Sequence, residues 1–176
     1  MKDFAQAQAS SPWALGFQAA NADLEPQLAA MRGRFPAAVH GLLFRNGPVH
    51  DLAGQRYQHW FDGDGMVQRF AIGATGVVHS GRIVRTSKFS LESAAGERLM
   101  PGFGSHWPGM QPAASPDALN VANTSVLPLG DELLALCEGG SAYRWSTWPT
   151  GAGANGWRCR PDSCSTWAMH GKTSRA

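Results

Sequence analysis

The sequence predicts an all-β fold of short antiparallel strands, with the rhythm of about one to two blades of a β-propeller. Three observations predict it. The chain carries 21 glycines and 11 prolines in 176 residues, well above their usual combined share of about 12%, and long helices do not tolerate that load. Charged residues are 16% against 43% hydrophobic, a balance that fills a core rather than leaving the chain disordered. The apolar residues fall in short runs, some alternating with period two, each closed by a turn signal.

Met1 to Ser11 is small and polar and reads as a loose terminus. Trp13 to Leu28 is amphipathic and predicts a short N-terminal helical segment, interrupted at Pro26. Val39 to Phe44 is an apolar run that fits a strand, with Asn46-Gly47-Pro48 as its stop. Tyr57 to Phe61 and Met66 to Ile72 read as a hairpin across Asp62-Gly63-Asp64-Gly65, because Asp-Gly pairs supply the positive φ of tight turns. After a turn at Ala74-Thr75-Gly76, Val77 to Arg85 forms a third strand with a bulge or bend at Gly81, so residues 57–86 form a three-stranded meander.

Ser87 to Pro116 is rich in proline and glycine and reads as a long connection, of a length that is functional or packs over something large. Asn120 to Leu127, Glu132 to Glu138 and a strand opening at Ala142-Tyr143 make a second meander, with turns at Pro128 to Asp131 and at Gly139-Gly140. The middle strand is nearly all apolar and is expected to be buried. Two meanders are too few to close a propeller ring, and open blades expose strand edges.

The last 33 residues differ from the rest. Residues 1–143 hold 32 Leu, Ile, Val and Phe, whereas residues 144–176 hold none, yet carry four of the seven tryptophans and two of the three cysteines. A segment without aliphatic residues lacks what normally fills a core. It reads as a flexible tail, a binding tail, or a G/C-rich coding region translated out of frame, the last being preferred. The division is therefore a loose segment 1–21, a β body 22–143 and an atypical tail 144–176.

Charge excludes one class of function. Residues 1–143 hold 10 Lys and Arg against 12 Asp and Glu, and the overall net charge of +2 comes from the tail. A nucleic-acid footprint needs a basic face on the folded body. No apolar run reaches the length of a membrane span. No continuous apolar stretch follows Lys2, so no secretory leader is expected. Three cysteines give no disulfide framework, and the expected compartment is cytoplasmic.

The motifs leave little chemistry in view. His40, His50, His59, His79, His106 and His170 form no metal-binding pair at local spacing. A calcium loop counted from Asp62 would need a Glu where the chain has Gly73. Nucleophile elbows and phosphate-binding glycine loops are absent, and no residue is assigned a catalytic role. Glu138 stands out. It ends an apolar strand and precedes two glycines. It is read either as a strand-end carboxylate facing water or as a carboxylate that accepts the ring N–H of a metal-bound histidine.

Several segments together resemble the carotenoid cleavage oxygenases. They are Gly41-Leu42-Leu43-Phe44-Arg45-Asn46-Gly47-Pro48, His59-Trp60-Phe61-Asp62-Gly63-Asp64-Gly65-Met66, Arg82-Ile83-Val84-Arg85-Thr86, Pro101-Gly102-Phe103-Gly104, Asn123-Thr124-Ser125-Val126 and Leu134-Ala135-Leu136-Cys137-Glu138-Gly139-Gly140. The resemblance covers roughly Ala22 to Tyr143, the N-terminal third of that family. It implies a seven-bladed β-propeller with Fe(II) on its axis, held by four histidines that three glutamates orient. It implies cleavage of a conjugated C=C bond of an apolar carotenoid, apocarotenoid or stilbene by O2, giving two carbonyl products. The resemblance leaves membrane contact open to full-length members, and it is not indicated here.

Glu138 matches one of the orienting glutamates. His170 lies at the spacing of the first iron ligand but without the family's Ser-Ala-His-Pro motif, and is the one ligand candidate. Cys137 stands where the family usually has tryptophan. The remaining ligands belong to blades beyond the resemblance. The chain alone is therefore expected to hold no iron and to be inactive. The alternatives are a truncated product without function and a small β binding module pairing through its strand edges.

Overall fold

The computed structural model describes residues 20–49 and 59–146. Its elements run β1 (Leu24–Leu28), β2 (Gly41–Val49), β3 (Asp64–Gly73), β4 (Gly76–Ile83), α1 (Ser87–Ala95), β5 (Ser125–Leu129), β6 (Glu132–Leu136) and β7 (Tyr143–Ser146), with short 3-10 turns at Trp60–Asp62 and Pro116–Leu119. They form two antiparallel sheets, ordered β1-β4-β3-β2 and β5-β6-β7.

The first sheet departs from the sequence expectation in three places. Leu24–Leu28 is a strand and not the end of a helix: Leu24, Gln27 and Leu28 pair with Gly81, His79 and Val78. Of the rest of that expected helix, residues 20–23 are not helical and residues 13–19 lie outside the described residues. Pro26 suits the strand, because β1 is a sheet edge, where a residue without an N–H is tolerated. The same reasoning applies to Pro48. β2 is the opposite edge, and it runs through Asn46-Gly47-Pro48 to Val49 rather than stopping there.

The expected hairpin across Asp62-Gly63-Asp64-Gly65 does not form. β3 pairs with β2 along its whole length, from Gly41 opposite Ile72 to Val49 opposite Asp64. Residues 50–58, including Tyr57 and Gln58, lie outside the described residues. The irregularity expected at Gly81 lies opposite it, where β1 has one residue more than β4 between paired positions.

The expected connection after Arg85 begins with a helix. Thr86 caps α1, its hydroxyl accepting the Phe89 N–H at 3.0 Å. The helix hides Lys88 and Glu92 beside Phe89 rather than an apolar stripe, so periodicity gives no signal for it. In the second sheet β5 starts at Ser125, not Asn120, and continues through Pro128 to Leu129. Along β6 only Leu133 and Ala135 are buried while their neighbours are half-buried. It is thus covered on one face and not buried throughout.

Two cores flank β3. Met66 packs with Ile83 and Phe89 on one side. Val67, its neighbour, packs with Val84, Ala122, Leu133, Ala135 and Trp145 on the other, which joins the two sheets. Trp145 is only 4% exposed, so β7 carries the ordered body three residues into the segment without aliphatic residues. Residues 147–176 lie outside the described residues. At the junction Gly65 donates its N–H to the Val121 carbonyl (2.8 Å) and accepts the Val84 N–H (2.7 Å). A Cβ on Gly65 would overlap the Ala122 carbonyl. The far half of the first sheet stays open: Leu42, Val78 and Leu28 stand in one cross-strand row, all exposed.

Candidate functional site

Glu138 emerges from β6 onto the turn Cys137 to Gly140, which the Gly140 N–H closes on the Cys137 carbonyl (3.3 Å). It is exposed, and its Oε2 accepts the Thr124 hydroxyl at 2.7 Å. The pairing follows from strand register. The Thr124 N–H donates to the Leu136 carbonyl (3.0 Å), which places Thr124 just ahead of β5 and beside the end of β6. The Thr124 hydroxyl, and then the residue's own backbone N–H, lower the Glu138 pKa from its ordinary value, while burial acts the other way. A carboxylate so held is ionised at neutral pH and keeps one oxygen available as an acceptor.

This gives a pH prediction. A lowered folded pKa means that the Thr124 bond contributes stability above the unfolded value, about 4.3. The contribution is lost as pH falls through the folded value. Thr124→Val is expected to raise the Glu138 pKa toward the ordinary glutamate value and to remove that part of the acid dependence. A side-chain carboxyl NMR titration measures it, and an unmoved Glu138 would show that Thr124 does not hold it.

The residues around this pair are tied to it. Asn123, which precedes Thr124, donates from its Nδ2 to the carbonyls of Phe61 and Gly63, both at 2.7 Å. Between those two residues the buried Asp62 carboxylate accepts the backbone N–H groups of Phe103 and Gly104. These bonds hold the backbone of Phe61 and Phe103, whose rings have centroids 6.1 Å apart and exposures of 64% and 78%. Sequence reading missed both features. Thr124 and Phe103 lie within noted motifs, but neither spacing nor periodicity showed what they touch.

The histidines do not gather. His59 accepts the Phe61 N–H through Nδ1 (3.2 Å), capping the 3-10 turn. His79 is stacked on Phe70, with centroids 4.5 Å apart, and is bonded to Gln68 (3.1 Å). His40 and His106 are exposed, and His50 and His170 lie outside the described residues. Among the described residues no three His, Cys, Asp or Glu side chains come together as metal ligands. The described residues thus do not fit an iron centre by themselves. No helix among them is long and apolar enough to cross a membrane.

Two antiparallel sheets, with a hydrogen-bonded glutamate on a strand-end turn, define an all-β protein. Residues 17–147 match the family of the retinal pigment epithelial membrane protein, and the chain belongs to that family, the carotenoid cleavage oxygenases. It is 35% identical over 137 residues to the apocarotenoid-15,15'-oxygenase of Synechocystis, covering 75% of this chain and 28% of that protein. It is 34% identical over 82 residues to the human beta,beta-carotene 15,15'-dioxygenase, covering 46% and 15%. Among solved structures it resembles cobalt-substituted Synechocystis apocarotenoid oxygenase, with a TM-score of 0.63 at 33% identity over 75% of this chain and 29% of that one. The chain thus spans well under a third of the length of these relatives.

Other solved forms of that oxygenase are substituted at a threonine and at a glutamate fourteen residues further on, which is the separation of Thr124 and Glu138. Another is substituted at the tryptophan just before that glutamate; the residue before Glu138 is Cys137.

Proposed function

We propose that this chain is the N-terminal part of an Fe(II)-dependent oxygenase that cleaves a conjugated C=C bond of a carotenoid, apocarotenoid or stilbene with O2, and that it does not carry out this reaction alone. The observation that carries the reading is the Thr124–Glu138 hydrogen bond on an exposed turn. It presents a fixed, ionised acceptor of the kind that orients a metal-bound histidine through its ring N–H. The outward Phe61 and Phe103 rings suit an elongated apolar substrate. The existence of a cobalt-substituted relative fits a resident metal in the family. When bound, iron would supply the activation of O2. Within this chain Glu138 would orient one ligand, and His170 is the one candidate for that ligand.

The open row Leu28, Val78 and Leu42 fits a sheet that further blades cover, and supports inactivity of the chain alone. A second reading, a binding module that pairs through its edges, rests on β1 and β7 as the outer strands of the two sheets among the described residues. Incubation of the chain with Fe(II), O2 and an apocarotenal is expected to yield no aldehyde product. Joined to the remaining blades of the Synechocystis oxygenase, it is expected to yield product that falls about 10- to 100-fold on Glu138→Gln. Product from the chain alone, or a joined enzyme indifferent to Glu138→Gln, would overturn the reading.

A further inference from the structure

We propose that Asn120 and Asp117 are positioning residues that fix the Glu138 carboxylate through the turn that carries it. The inference rests on the reading of Glu138 as the functional carboxylate. Ser141, the residue that leaves the turn, is gripped on both sides. Its N–H and hydroxyl donate to the Asp117 carboxylate at 2.6 and 3.0 Å. Its carbonyl accepts the Asn120 Nδ2 at 2.7 Å. Asn120 is buried, and its Oδ1 accepts the Ala122 N–H at 2.9 Å.

Ala122 has φ +46°, the one positive φ among the described non-glycine residues, and from there the chain runs into Asn123 and Thr124. A single carboxamide therefore ties the backbone that leads into Thr124 to the backbone that leaves Glu138. The approach needs a glycine: a Cβ on Gly140 would overlap the Asn120 amide. An exposed glutamate normally samples many rotamers, at an entropic cost when it must act from one of them. Here the side chain is held by Thr124, and the turn that carries it is held at Ser141 by Asn120 and Asp117, so the acceptor is set before any partner arrives.

The test uses the full 176-residue chain, with amide exchange at Ser141, the nuclear Overhauser contact between the Thr124 and Glu138 side chains, and amide exchange along β3 and β4. Asp117→Ala is expected to speed exchange at Ser141 about tenfold. It should weaken the Thr124–Glu138 contact and leave β3 and β4 unchanged. Asp117→Asn, which retains an acceptor for the Ser141 N–H, is expected to restore the contact. Gly140→Ala, which displaces the Asn120 amide, is expected to weaken it.

Unchanged exchange at Ser141 in Asp117→Ala overturns the proposal, as does a Thr124–Glu138 contact that survives both Asp117→Ala and Gly140→Ala. Loss of protection throughout β3 and β4 also overturns it, because Asp117 would then be a general support of the fold. None of these readouts involves iron. The positioning role can therefore fail while Glu138 remains the functional carboxylate, and can stand if Glu138 orients no histidine.

Discussion

Gly65→Ala is expected to separate the two sheets. The new Cβ has no room against the Ala122 carbonyl, and both elements at the contact are backbone, so neither can rotate aside. Moving β3 away breaks the bonds from Gly65 to Val121 and from Val84 to Gly65. It also opens the core that Val67 shares with Ala122, Leu133, Ala135 and Trp145. Overpacking a core costs about 1–3 kcal/mol, and each broken buried bond adds about 1 kcal/mol. A loss of about 3 kcal/mol or more is expected, read as a lowered urea midpoint or as failure to accumulate folded protein. A variant as stable as the parent would mean that the sheets do not meet at Gly65.

Glu92→Gln is expected to cost about 3 kcal/mol, because it breaks a buried ion pair by removing one partner. Glu92 is 2% exposed. Its carboxylate pairs with Lys88 at 2.7 Å and lies 4.0 Å from Arg98. It also accepts the N–H groups of Leu99 and Met100, both at 3.1 Å. Glutamine keeps the shape and can still accept from the backbone, so the loss isolates the charge. The loosening should reach the segment that leads to Phe103, which follows Met100 by three residues. Urea denaturation of the variant measures the cost. A change below about 0.5 kcal/mol, the usual size for an exposed substitution, would place Glu92 at the surface instead.

These two sites also show what the sequence made legible. Alternation and turn residues were enough for an all-β chain with hairpins at Ala74-Thr75 and Gly130-Asp131, because each feature is written in adjacent residues. The pairing of β3 with β2 was not legible. Asp62-Gly63-Asp64-Gly65 carries the local chemistry of a hairpin, but Asp62 uses its carboxylate on Phe103 and Gly104, and Gly65 uses its missing side chain on Ala122. Tertiary contacts took residues that local rules assign to a turn. α1 was hidden for a related reason: a helix that buries a charged pair has no apolar period to read.

At the site, Glu138 was visible from its place between an apolar strand and two glycines and from the family resemblance. Thr124 was not. It lies fourteen residues away, and only the register of β5 against β6 brings the two together.

The measurement that tests the central claim most directly is anaerobic Fe(II) titration of the full chain, beside the same titration of His170→Ala. The central claim is that this chain supplies an orienting carboxylate to an iron oxygenase without holding the iron alone. It predicts well under one equivalent of tightly held iron, and no difference between the two proteins. One equivalent held by the parent chain and lost in His170→Ala would contradict it, and would make this chain a metal-binding protein in its own right.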